Sequence, residues 1–183
     1  MFHRPDESLL VVIDVQERLC RAMPDFEAGK PRLLQGLRAA GLLSVPVIVT
    51  EQYPKGLGPT DPEVKEACPA GSAVYEKTTF SCWGSAEFAS AVVARAPRTL
   101  VLAGMETHVC VQQTALTAVA KGFQTVLLAD AVWSRRDTDR DVALVLLRQA
   151  GAIVTTVEAL AFAWMQDSKH PAFKAVSALF RNA

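Results

Sequence analysis

The sequence predicts an α/β protein, a three-layer α/β/α sandwich on a mostly parallel sheet. Two observations carry that reading. Short apolar runs recur with the length and composition of strands buried on both faces, and stretches of helical apolar period separate them. Strands alternating with helices build a parallel sheet covered on both sides. A third observation says where chemistry belongs. In residues 98–120, RTLVLAGMETHVCVQQTALTAVA, the run 99–103 breaks at Gly104, and a helical period with Val109, Leu116 and Val119 takes over from about Thr107. Cys110 then falls in the first turn of a helix just past the carboxyl end of a parallel strand, the edge at which such sheets bind ligands.

The elements follow in order. Residues 8–14 read as a first strand ending in an acid. Residues 30–44 carry leucines at 33, 34, 37, 42 and 43, a helical stripe that Gly41 interrupts near its end. Residues 45–50 form a second strand, with Pro46 tolerated near its start. Residues 51–73 are rich in Gly and Pro without a clear period, a long loop of the kind that covers a site. Residues 74–77 form a short third strand, 78–84 a loop, and 85–94 a helix leading into the fourth strand at 99–103. Gly122 stops the next helix, and 124–129 is the fifth strand. Residues 130–137 read as a polar loop with Trp133 near the same edge, and 139–150 as a helix ended by Gly151. A sixth strand at 152–156 precedes helices at about 157–166 and 171–181.

Bulk properties narrow the function. The chain's 183 residues suffice for one domain, 1–183, with a sizeable core. Lys+Arg and Asp+Glu stand at 19 each, a balance that selects neither nucleic acid nor an anionic membrane. No apolar stretch is long enough to span a bilayer, and Arg4, Asp6 and Glu7 precede any apolar run, unlike a signal peptide. Cysteines 20, 68, 82 and 110 form no CxxC pair and no ligand-like spacing with histidines 3, 108 and 170. Reduced thiols in the cytoplasm are the expectation.

Three polar residues reach the carboxyl ends of strands: Asp14, Lys77 and Cys110. Each has a plain alternative. Asp14 suits a helix cap, Lys77 a solvated rim, and Cys110 a small buried apolar position. Together they make chemical sense. Asp14 can accept the thiol proton, and a lysine between the two holds the carboxylate ionised. A helix N-terminus and an ammonium favour a thiolate, whereas Asp14 opposes it, so the expectation is alkylation of Cys110 below the ordinary thiol range unless Asp14 prevails.

The chain resembles the isochorismatase-like cysteine hydrolase superfamily over nearly its whole length, closest to its uncharacterised isochorismatase-domain branch. The resemblance rests on the motifs VIDVQ at 12–16, EKTTFS at 76–81 and GMETHVCV at 104–111, with ADAVWSR at 129–135 and RQAG at 148–151. It implies a six-stranded sheet in the order 3-2-1-4-5-6 and Asp14, Lys77 and Cys110 as a catalytic triad. It also implies a cis peptide between Met105 and Glu106, with the amides of Glu106 and Cys110 forming an oxyanion hole. Nicotinamidases of the superfamily bind a metal through an Asp and several His after the second strand. Here that stretch, TEQYPKGLG at 50–58, has no histidine, and His108 stands alone two residues before the cysteine. Isochorismate-cleaving members lack the cysteine.

The resulting expectation is a metal-independent and cofactor-free hydrolase that cleaves a C–N bond of a small amide or carbamoyl-type substrate through a thioester. Gln16, Gln52, Tyr53, Phe80, Trp83 and Trp133 are candidates for the pocket wall, with core packing the alternative for the aromatics. Two further classes stay open: hydrolysis of another small metabolite, and a non-catalytic or redox-responsive member of the fold. Apolar residues in 159–165 and 173–180 exceed what one face needs to bury, which points to a homo-oligomer.

Overall fold

The chain's structure is a computed structural model that describes residues 4–181; His3 lies outside the described residues. A six-stranded, all-parallel sheet runs in the order β3-β2-β1-β4-β5-β6. The strands are β1 (Ser8–Ile13), β2 (Val47–Gln52), β3 (Ala73–Lys77), β4 (Thr99–Met105), β5 (Gln124–Trp133) and β6 (Ile153–Thr155). The strand β1 pairs with β2 on one side and β4 on the other. Chain direction across the sheet reverses between β1 and β4, and the carboxyl ends there frame the crevice in which such sheets hold ligands.

Period-two alternation splits the core into two layers. Leu10 and Val12 of β1, with Val47, Val49, Val101 and Val126, pack against α2 (Phe26–Leu42), α8 (Val157–Met165) and α9 (Phe173–Phe180). Leu9, Val11 and Ile13, with Ile48, Leu100 and Leu102, pack against α5 (Ala86–Arg95), α6 (Gln112–Ala120) and α7 (Asp137–Gln149). All six residues of β1 are buried, because helices cover both of its faces.

The structure departs from the sequence reading in five places. Helix α2 begins at Phe26, ahead of the leucine stripe, and carries Pro31 inside it; buried Phe26 anchors a first turn that has no other large apolar residue. Residues 51–73 are not one loop. They include the short helices α3 (Pro54–Leu57) and α4 (Pro62–Ala67), both opened by a proline, and Asp61 Oδ1 accepts from Glu63 and Val64 N–H at the start of α4. A further turn, α1 (Glu17–Cys20), follows β1. Strand β5 continues to Trp133 through a register shift, so that Gly104 pairs with Val132 and Met105 with Trp133. The shift is what lets polar Asp130 sit inside a strand: its Oδ1 leaves the ladder and accepts Val157 N–H at 2.9 Å. Lastly, the apolar segments near the carboxyl terminus are largely covered within the chain. Leu160, Ala161, Trp164, Met165 and Val176 are buried, and Phe162 packs with Phe173 at 6.2 Å between ring centres. The exposed apolar stripe lies on α7 instead, at Val142, Val145 and Leu146. Among the described residues, no helix is long and apolar enough to cross a membrane.

Gly104 is required where β4 meets β1. Its φ is +114°, and a Cβ there would stand 2.0 Å from the Ile13 carbonyl oxygen. Gly104→Ala is expected to cost about 4 kcal/mol or more. Urea denaturation checks this, and a variant within about 1 kcal/mol of wild type would contradict it.

Candidate active site

The crevice gathers its polar groups from three strand ends. Asp14 follows β1 in a left-handed conformation (φ +53°) and is fully buried. Its N–H donates to the Thr50 carbonyl at 3.0 Å, which carries β2 pairing one residue past the strand. Its Oδ1 accepts from Thr50 Oγ1 at 2.7 Å and its Oδ2 from Lys77 Nζ at 2.6 Å. Lys77, the last residue of β3, also donates to Gln52 Oε1 (2.7 Å) and the Thr79 carbonyl (3.3 Å). Gln52 is fixed in turn by donating through Nε2 to the Thr78 carbonyl. An ammonium buried to this degree needs such a set of acceptors.

Cys110 arrives from β4 through a π turn, Thr107–Val111, preceded by a cis Met105–Glu106 peptide. The Glu106 carbonyl accepts from the N–H groups of Val109 and Val111 at 3.1 and 3.2 Å, an arrangement that passes over Cys110. Four bonds stitch this turn and Glu106 before it to the end of β5 and the two residues that follow. Thr107 Oγ1 donates to the Trp133 carbonyl (2.9 Å), His108 Nδ1 meets Ser134 Oγ (2.9 Å), and Glu106 Oε2 accepts from Arg135 Nε (2.9 Å) and N–H (3.2 Å).

The electrostatics correct one expectation. Burial first, then the Asp14 charge and a hydrogen bond to it, push the Cys110 thiol up to about 12, and Lys77 only partly opposes them. Burial and Asp14 together prevail over Lys77, and the free protein holds a neutral thiol. Lys77 shows the reverse balance. Burial pulls it down, but Asp14, Cys110 and Cys82 together outweigh that and raise it, so it stays an ammonium.

The structure brings Asp14, Lys77, Cys110 and Gln52 together. Tyr53 and Phe80 are exposed, Tyr53 in a left-handed conformation with its N–H on the Lys77 carbonyl (2.9 Å). Three wall candidates lie elsewhere. Gln16 is fully buried and tied to Gln52 N–H and to the Gln52 and Gly58 carbonyls, so it joins loops rather than lining a cavity. Trp83 stacks on Phe123 and meets Phe88 edge-on, with Nε1 on the Thr114 carbonyl. Trp133 is buried edge-on against Phe26 over Gly29, where a Cβ would strike its Nε1 at 2.8 Å. For both tryptophans core packing is the observed role.

Sequence reasoning missed Thr50, Cys82 and Ser81. Cys82 is fully buried with Sγ 3.8 Å from Thr50 Oγ1, and Ser81 Oγ is buried with no hydrogen-bond partner. The motif EKTTFS contained Ser81, but nothing in it distinguishes a buried hydroxyl from an exposed one. Among the described residues, no three His, Cys, Asp or Glu side chains group closely enough to hold a metal, and Glu51 near the end of β2 is engaged by Thr60 N–H and Oγ1. A cavity of about 390 Å³ lies against Lys77, walled by Tyr53, Thr78, Thr79 and Ser85 among others; Asp14 and Cys110 are not in its lining.

A parallel α/β sheet carrying a buried thiol, carboxylate and ammonium at its topological switch defines a class of hydrolase site. The comparisons agree. The model of the isochorismatase domain matches residues 8–159. Isochorismatase domain-containing protein 2 of Bos taurus is 40% identical over 178 residues, covering 97% of this chain and 84% of that protein. Among solved structures, the MAR1 ribonuclease of Caenorhabditis elegans superposes with a TM-score of 0.93 at 37% identity, over 98% of this chain and 92% of that one. The Escherichia coli YcaC gene product, described as an octameric hydrolase of unknown specificity, gives 0.91 at 26% identity, over 98% and 89%. This chain belongs to the isochorismatase family of hydrolases.

The cysteines predict alkaline sensitivity. Burial raises Cys20 to about 12, Cys82 to about 11 and Cys110 to about 12, from an ordinary 9.0. Above pH 9 the unfolded thiols ionise while the folded ones stay protonated, so the unfolded state binds fewer protons and stability falls as pH rises towards 11–12. Each thiol contributes up to about 1.4 kcal/mol per pH unit in that window. Urea midpoints from pH 8 to 11 check this, and a flat profile would contradict it.

Proposed function

We propose that the protein is a cysteine hydrolase that cleaves the C–N bond of a small amide or carbamoyl-type substrate through a thioester, without a metal or other cofactor. The observation that carries the reading is the 2.6 Å Lys77–Asp14 ion pair, buried beside the Cys110 thiol. Because the thiol is neutral at rest, Asp14 removes its proton as sulfur attacks the substrate carbonyl. The amides of Glu106 and Cys110 receive the oxyanion, and the turn bonding that passes over Cys110 N–H supports that role. One such donor is worth about 3–4 kcal/mol in the transition state. Asp14 returns the proton to the departing nitrogen. Water then attacks the thioester with Asp14 again as base, and Asp14 returns that proton to the departing Cys110 sulfur, while Lys77 keeps the carboxylate ionised between steps.

The cavity against Lys77 suits a small molecule, with Tyr53 as a rim contact and Thr78, Thr79 and Ser85 as polar groups on its wall. A buried neutral thiol argues against a redox-responsive role, which needs an exposed thiolate. Four unpaired cysteines fit the cytoplasm. One solved relative is described as a ribonuclease, and RNA belongs in the assay panel. A formal net charge of zero supplies no electrostatic attraction for it, and no cleavage is expected.

Ammonia release from a panel of small amides and carbamoyl compounds tests the reading. At least one should turn over, unchanged by a chelator, and Cys110→Ala should lose at least about a thousandfold. Undiminished turnover in Cys110→Ala, or activity lost to the chelator and restored by metal, would overturn it.

The same reading includes a homo-oligomer. Val142, Val145 and Leu146 on α7 are an exposed apolar stripe, and one relative is octameric. Light scattering at micromolar concentration should give a multiple of the chain mass. A monomer mass would refute this.

A further inference from the structure

Thr50 lies at the carboxyl end of β2 and is 1% exposed. It holds Asp14 at two points, accepting its N–H through the backbone carbonyl and donating its hydroxyl to Oδ1 at 2.7 Å. A hydroxyl has one proton to donate, and an ionised carboxylate has none. The Thr50 proton therefore points at Asp14. What Cys82 Sγ meets at 3.8 Å is the hydroxyl's lone-pair side, so Cys82 is the donor in that contact. Hydrogen bonding runs one way, from Cys82 S–H to Thr50 Oγ1 and from Thr50 O–H to Asp14 Oδ1. Lys77 takes Oδ2.

We propose that Thr50, backed by the Cys82 thiol, is the positioning residue of the Asp14 base. It turns the carboxylate so that a lone pair remains for the Cys110 proton, and it sets the pH at which that carboxylate works. The proposal rests on the Cys110–Asp14–Lys77 reading above. The ionisable groups facing Asp14 are Lys77 from the end of β3, Cys82 from the turn after it and Cys110 from the π turn. The strand β1 itself, SLLVVI, has no ionisable side chain.

The test needs no natural substrate. Iodoacetamide labelling of Cys110, read by mass spectrometry of its peptide, is followed from pH 4 to 9. In wild type the rate should rise along an acidic limb as the carboxylate becomes able to take the thiol proton. In Thr50→Val the limb should move to higher pH by about one unit and the plateau should fall roughly tenfold, since a bond to a charged group is lost. Thr50→Ser should restore both. Cys82→Ala should move the limb the same way by less, because a donor behind the hydroxyl polarises it. A merely structural role would lower the plateau without moving the limb. An unmoved limb in Thr50→Val, or no restoration in Thr50→Ser, overturns the proposal. If Thr50→Val fails to fold, the limb in Thr50→Ser and Cys82→Ala decides: wild-type and displaced limbs respectively support it, and the converse overturns it. Asp14→Asn separates the two levels. A limb that survives that substitution sinks the catalytic reading, and this inference with it. A limb that disappears there but ignores Thr50 sinks this inference alone.

Discussion

The Lys77–Asp14 pair is the constraint to which the rest of the crevice conforms. Both groups are almost completely removed from water, where an ion pair gains strength but each charge loses its hydration. Such a pair persists only if the remaining lone pairs and protons are satisfied. That requirement accounts for the neighbours: Thr50 on one carboxylate oxygen, and Gln52 and the Thr79 carbonyl on the ammonium. It also accounts for the backbone. Asp14 takes a left-handed conformation just beyond β1, and Tyr53 does the same beside Lys77. Strain of about 1–3 kcal/mol per residue persists where the surroundings over-determine it.

Sheet order explains how residues 63 positions apart meet. Strand β1 sits between β2 and β4, so Asp14 is flanked on one side by Thr50 and on the other by the Gly104 bend. Gly104 lets β4 come against the Ile13 carbonyl, and the chain then turns at once into the segment bearing Cys110. The thiol's neutrality follows from the same closeness. A cysteine near a carboxylate in a dry site is held as an acid.

Much of the fold was legible because its signals are local. A strand covered by helices on both faces is a continuous apolar run, and β1 and β4 were plain for that reason. What escaped depended on partners distant in sequence. The end of β5 looked polar because Asp130 leaves the ladder to cap α8, and α3 and α4 are too short to show a period. Of the site, Asp14, Lys77 and Cys110 could be read from motifs and strand ends. Thr50 and Cys82 could not, since a threonine in a strand and a buried cysteine are ordinary until Asp14 stands beside them. Trp133 erred in the opposite direction: an aromatic at the correct edge proved to face α2.

The stitching of the π turn to residues 133–135 bears on how this scaffold can be altered. Loops at the carboxyl edge of a parallel sheet are commonly treated as exchangeable parts, free to vary above a fixed frame. Here the segment that ends β5 and follows it, 133–135, is part of the frame. Trp133, Ser134 and Arg135 each hold a different residue of the segment 106–108 that leads into Cys110. A graft that replaces that segment for new specificity must carry the backbone carbonyl, hydroxyl and guanidinium with it, as one mechanical unit with the cysteine it supports.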